Sequence, residues 1–143
     1  MSRSFLDTNV LLYLFDNSVP ERKARAQEVF SEEVEAGRAF LSTQVLQEFY
    51  VNVTRKLASP LPEEVAEERV RDLARLPLLR VDEAMILSAI ERHRSMSFAF
   101  WDALILEAAL EGGADRLLTE DLQHGQKIEG LRVENPFLQA GEH

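Results

Sequence analysis

Short apolar segments alternate with longer amphipathic ones along almost the whole chain, and this alternation restricts the fold more than any other feature. Residues 4–6, 39–41, 78–81, 116–119 and 131–133 read as strands. Between them, residues 10–15, 21–36, 43–57, 63–75, 83–93 and 100–110 carry apolar side chains at helical spacing. The punctuation agrees. Thr8 or Asn9 and Asp82 can cap helix starts, Pro62 suits a first turn, and Gly37 and Gly112-Gly113 are helix stops. Strands separated by helices pair in parallel, with helices over both faces of the sheet. At 143 residues, without an internal repeat or a linker, the chain is expected to form one domain over residues 1–143.

Composition removes several classes of function. With 45% hydrophobic residues the chain can bury a full core, and with no cysteine it can form neither a disulfide nor a thiolate metal site. No apolar run has the length of a membrane span and no secretory leader is legible, so a cytoplasmic protein without a membrane partner is expected. The net charge of −9, from 25 acids against 16 bases, opposes a broad basic nucleic-acid surface. It does not oppose a carboxylate cluster that meets phosphate through a bound cation.

Four acids stand apart by position, although Glu48 alone reads as an ordinary border glutamate and Asp121 alone as a loop residue or a cap. Asp7 lies between the first strand and a helix, at the carboxyl end of the strand, where parallel sheets form their ligand crevices; a plain helix cap is the alternative. Asp102 shares a helix face with Ile105, Leu106 and Ala109, so it heads an inward stripe; a first-turn acid held by the helix N-terminus is the alternative. Glu48 borders the apolar side formed by Val45 and Phe49, and Asp121 follows the strand that ends at Thr119. Asp115 and Glu120 compete for that last position. If these acids share one edge of one sheet, carboxylates about 5 Å apart repel by roughly 3 kcal/mol per pair, and a cation is needed. Oxygen-only ligation suits Mg²⁺ or Mn²⁺.

Asp7-Thr8-Asn9 after a strand, Glu48, Trp101-Asp102-Ala103 and Thr119-Glu120-Asp121 together resemble a PIN domain, and within that family the VapC-type toxin ribonucleases. The resemblance covers about residues 3 to 135. It implies a three-layer α/β/α sandwich with a mostly parallel five-stranded sheet, and metal-dependent endoribonuclease activity on RNA. It also implies homodimerisation and a cognate antitoxin. Carried over by position, Asp7, Glu48, Asp102 and Asp121 match the metal-binding catalytic acids, and Asn9, Ser42 and Thr119 match supporting polar positions. Asp121 is preferred to Glu120 because it keeps the Thr-x-Asp spacing.

Other readings carry less. An aspartyl-nucleophile phosphatase would use Asp7, but it needs an acid two residues on, where Asn9 stands. A phosphoacceptor receiver needs a late lysine after a strand, and Lys127 is badly placed for that. A PIN-like scaffold or RNA-binding module without activity has no use for four repelling charges. His93, His124 and His143 lack ligand spacing and receive no role. Trp101 is expected in the core or at a dimer contact rather than on a base. The clusters Arg22-Lys23-Arg25, Arg55-Lys56 and Arg92-Arg94 are expected on solvated helix faces.

Overall fold

A computed structural model describes residues 2–138; His143 and the rest of the C-terminal tail lie outside the described residues. The elements follow the order β1 (Ser4–Leu6), α1 (Thr8–Tyr13), α2 (Pro20–Glu35), β2 (Ala39–Ser42), α3 (Thr43–Arg55), α4 (Glu63–Leu73), β3 (Leu78–Leu79), α5 (Glu83–Met96), α6 (Phe100–Glu111), β4 (Arg116–Leu118), β5 (Lys127–Ile128) and β6 (Leu131–Glu134). The strands form one sheet in the order β3-β2-β1-β4-β6-β5. Every pairing is parallel except β5 with β6.

The sheet is covered on both faces, and its strands say so themselves. Successive strand residues point to opposite sides. Yet Ser4, Phe5 and Leu6 are all buried, as are Ala39, Phe40, Leu41 and Ser42. Phe5 meets Phe40 edge to face across the β1–β2 pair, with centroids 5.3 Å apart. Helix α6 is buried nearly all round, through Ala103, Leu104, Ile105, Leu106, Ala108 and Ala109. It stops at Gly112, where a Cβ would run into the Phe40 ring, so glycine at this position lets the helix end close onto β2.

The sheet has six strands rather than the expected five. The additional strand is β5, which forms a hairpin with β6, Ile128 opposite Leu131 across Glu129-Gly130. Both turn residues have positive φ, 49° and 88°, the conformation that a two-residue hairpin loop requires. A two-residue strand is too short to show alternation in sequence. The remaining boundaries shift by a few residues: α5 continues to Met96, α4 ends at Leu73 and β3 covers only two residues. At α1 the cap is neither Thr8 nor Asn9 but Asp7, whose side chain accepts from Thr8 N.

The amino-terminal edge of the sheet is held by a buried acid that periodicity alone did not single out. Glu33 lies on the α2 stripe with Ala26 and Val29 and is buried. Its carboxylate accepts from Arg38 Nε (2.9 Å) and Nη2 (2.8 Å), from Arg116 Nη2 (2.6 Å) and from Ser4 Oγ (2.5 Å). Arg116 also donates to Glu134 at 3.0 Å. One acid thereby ties α2 to the starts of β1 and β4 and to the segment entering β2. The Arg38 guanidinium, against the opposing effect of burial and with help from Ser4 and Arg116, holds the Glu33 carboxyl down at about 2. A depressed folded-state value stabilises the fold above the ordinary 4.5, and this contribution disappears as pH falls toward 2. Glu33→Gln should therefore cost about 2–3 kcal/mol at pH 7, because it leaves two guanidiniums short of their counter-ion. Urea unfolding across pH should show the gap to wild type closing below about pH 4.5; a gap that stays constant with pH would refute the charge-based account.

Candidate active site

The chain runs outward from β1 to β2 and β3, then crosses back to β4 and β6 on the other side of β1. The direction of travel reverses between β1 and β4, and open parallel sheets bind ligands at the carboxyl ends of their strands at such a point. Asp7 leaves β1 there and Thr119 leaves β4. Asp7 N donates to Leu118 O at 3.0 Å, which fixes the two exits side by side.

Asp7 is buried with both oxygens engaged. Oδ1 accepts from Thr8 N and Oδ2 from Thr119 Oγ1, each at 2.7 Å. Thr8 Oγ1 in turn donates to Glu48 Oε1 at 2.7 Å, so a single threonine links the first two acids. On the other side, Asn9 Nδ2 donates to Asp121 Oδ2 at 3.0 Å and lies 3.3 Å from Thr119 Oγ1, which also accepts from Asp121 N at 3.1 Å. The sequence Glu48–Thr8–Asp7–Thr119–Asn9–Asp121 is thus one polar chain across three elements and the loop after β4. Asp102 sits half-buried in the first turn of α6, within electrostatic range of Asp121 and Glu48.

The electrostatics are unfavourable without a cation. Desolvation is the largest effect on Asp7 and outweighs its two hydrogen bonds; with Asp121 and Glu48 adding repulsion, its carboxyl is pushed up to about 7. Desolvation, then Asp121 and Glu48, also raises Asp102 above the usual carboxylate range. Among the described residues, no three or more histidine, aspartate or glutamate side chains stand close enough together to hold a metal ion by themselves. The donor set nevertheless fits a hydrated divalent ion. It is all oxygen, its charges repel one another, and Asn9 Oδ1 is buried without a partner beside it. Mg²⁺ in particular keeps several waters and takes one or two carboxylates directly.

The structure also separates the two candidates after Thr119. Glu120 turns away, accepting from Tyr13 Oη (2.7 Å) and pairing with Arg22 (2.5 Å), while Asp121 joins Asn9. Ser42 is fully buried, and its side chain accepts from Val45 N at 3.4 Å; it supports Glu48 by capping the helix that carries it. Two polar roles were not anticipated: the Thr8 bridge, and Gln44, whose Nε2 lies 3.4 Å from Glu48 Oε2 and 3.2 Å from Trp101 O, joining α3 to α6. Gln44 stands one turn before Glu48 on the buried side of α3, the signal that could have marked it. Of the two expectations for Trp101, core packing or a dimer contact, the first is contradicted, since it is 61% exposed: it precedes an acid that heads the buried stripe, so the helix turns it outward. Several of the basic residues serve internal pairs, Arg22 with Glu120, Arg25 with Glu28, and Arg92 with Glu107 and Glu129.

A PIN-domain family model matches residues 4–127, and the chain belongs to that family. No curated protein matches it. Among solved structures it is similar to a chain of a toxin–antitoxin complex from Klebsiella pneumoniae, at 20% identity and a TM-score of 0.67, covering 94% of this chain and 98% of that one. It is equally similar to a chain of DNA-bound VapBC from Salmonella typhimurium, at 20% identity and 0.67, covering 95% and 99%. VapC20 of Mycobacterium tuberculosis, described as a sarcin-ricin loop cleaving toxin, matches at 20% identity and 0.64 over 82% and 91%.

A raised folded-state value for an acid means that the folded protein holds its proton longer than the unfolded one, so metal-free stability falls as pH rises from about 4 to about 7. Asp7→Asn keeps an oxygen for the α1 cap and removes that slope. In chelator-treated protein its Tm should match wild type near pH 4 and exceed it at pH 8; a lower Tm at pH 8 would mean that the hydrogen bonds, not the burial, dominate at Asp7.

Proposed function

We propose that this chain is a divalent-metal-dependent endoribonuclease that cleaves RNA phosphodiester bonds, and that it is the toxin of a toxin–antitoxin pair. What supports the reading is the polar chain that joins Glu48, Asp7 and Asp121 at the reversal point of the sheet, with Asp102 in electrostatic range of Glu48 and Asp121, in a chain of the PIN family. The toxins and toxin–antitoxin complexes with the same fold support the biological role, an antitoxin partner and a cytoplasmic setting. A homodimer follows from the same family resemblance.

The four acids, with water, would hold Mg²⁺ or Mn²⁺. When bound, such an ion polarises the phosphate and lowers the pKa of an attacking water. The chain's own groups prepare for this. Thr119 and Thr8 N fix the Asp7 carboxylate, Thr8 Oγ1 sets Glu48 against it, and Asn9 draws Asp121 in from the loop. Desolvation pushes the Asp7 carboxyl up to about 7, so at neutral pH part of the protein holds a proton there and cation binding should release it. The phosphatase alternative needs an acid two residues after Asp7, and Asn9 stands there with its amide donating to Asp121.

Asp7→Asn and Asp102→Asn should each reduce cleavage of cellular RNA by about a hundredfold or more and weaken Mn²⁺ binding in calorimetry, with the fold retained by circular dichroism. Glu120→Gln should cleave at close to the wild-type rate, whereas Asp121→Asn should not. Full activity in the Asp7 or Asp102 variant would sink the reading, and equal losses at Glu120 and Asp121 would undo the assignment of the fourth acid.

A further inference from the structure

Beside the carboxylates, α3 and α6 enclose a cleft of about 320 Å³ that the chemistry above leaves unused. Gln44, Glu48, Asn52 and Lys56 follow one another at four-residue steps and therefore form a single ridge along α3 and its C-cap. The ridge starts at the acid site and ends on a cation. Trp101 forms the facing wall, and Val51, 46% exposed, adds apolar surface.

Trp101 is the only tryptophan of the chain, and 61% of it is open to solvent. A lone exposed aromatic is ordinary. Here the ring packs edge to face on Phe100 at 5.1 Å, and the backbone carbonyl of Trp101 lies 3.2 Å from Gln44 Nε2, whose amide also reaches Glu48. The start of α6, which carries the ring, is thus tied to the helix that carries the acid. An exposed aromatic face, a half-buried amide at Asn52 and a lysine at the far end are the groups that take a stacked base, its polar edge and the next phosphate. Lys56 is also of the right sign for RNA in a chain of net charge −9.

We propose that this cleft binds a nucleobase adjacent to the scissile phosphate, stacked on Trp101, with Lys56 contacting the neighbouring phosphate. The proposal rests on the ribonuclease reading, and the two fail separately. The Asp7→Asn protein, silent in cleavage, is titrated with a dye-labelled single-stranded RNA while dye anisotropy and Trp101 emission are followed together. Binding should raise anisotropy and quench Trp101 in parallel. In the same background Trp101→Ala should weaken binding by about five- to a hundredfold, the range of aromatic–base stacking. Trp101→Tyr should recover most of that loss, and Lys56→Ala should flatten the salt dependence. Absence of an anisotropy rise at any concentration overturns the RNA reading and this site with it. Saturable binding with unmoved Trp101 emission and an unaffected Trp101→Ala variant overturns the base site alone, and leaves the cleft to a polypeptide.

Discussion

The placement of β1 between β2 and β4, parallel to both, is the constraint on which the rest of the molecule depends. With Ser4 in register with both Ala39 and Arg116, all three strands begin on one edge and end on the other. Every polar residue that follows a central strand is therefore delivered to the same rim, and every residue that precedes one to the opposite rim. No side chain needs to reach across the domain for Asp7 and Thr119 to meet.

The two rims are treated differently. At the amino edge, Glu33 is met by Arg38, Arg116 and Ser4, and a buried charge is fully compensated. At the carboxyl edge four acids have only hydroxyl, amide and backbone N–H donors for company, and burial drives Asp7 toward its protonated form. Stability is concentrated where no chemistry is needed, and tension is concentrated where a cation would relieve it. Such a division is expected when a fold must hold a strained site with only a few kcal/mol of net stability.

Much of this was legible in the chain, and the parts that were not have physical causes. Helices α2 to α6 and the core strands announce themselves by apolar period, and the four acids by their order relative to those elements. Strand β5 was hidden because two residues carry no period and Glu129-Gly130 is a weak turn signature. Glu33 was hidden because a charged residue inside an apolar stripe gains its meaning from partners on other segments, Arg38, Ser4 and Arg116, the last 83 residues away. Thr8 and Gln44 are unremarkable by type; their roles come from where α1, α3 and α6 cross. For Trp101 the sequence left core packing and a dimer contact open, and its angular position on α6 rules out the core.

The segment from Thr119 to Asp121 has a further implication. Adjacent acids go opposite ways, Glu120 to the Tyr13–Arg22 pair and Asp121 to Asn9. The distinction is carried entirely by the count of residues after Leu118, because the two side chains are chemically near equivalents. Deleting or inserting a single uncharged residue before Glu120 would put one acid in the other's place while leaving the net charge unchanged. The loop can accept many substitutions at its surface but has no freedom of length, so a change that looks mild in a residue-by-residue comparison would dismantle the acid set as thoroughly as removing Asp121.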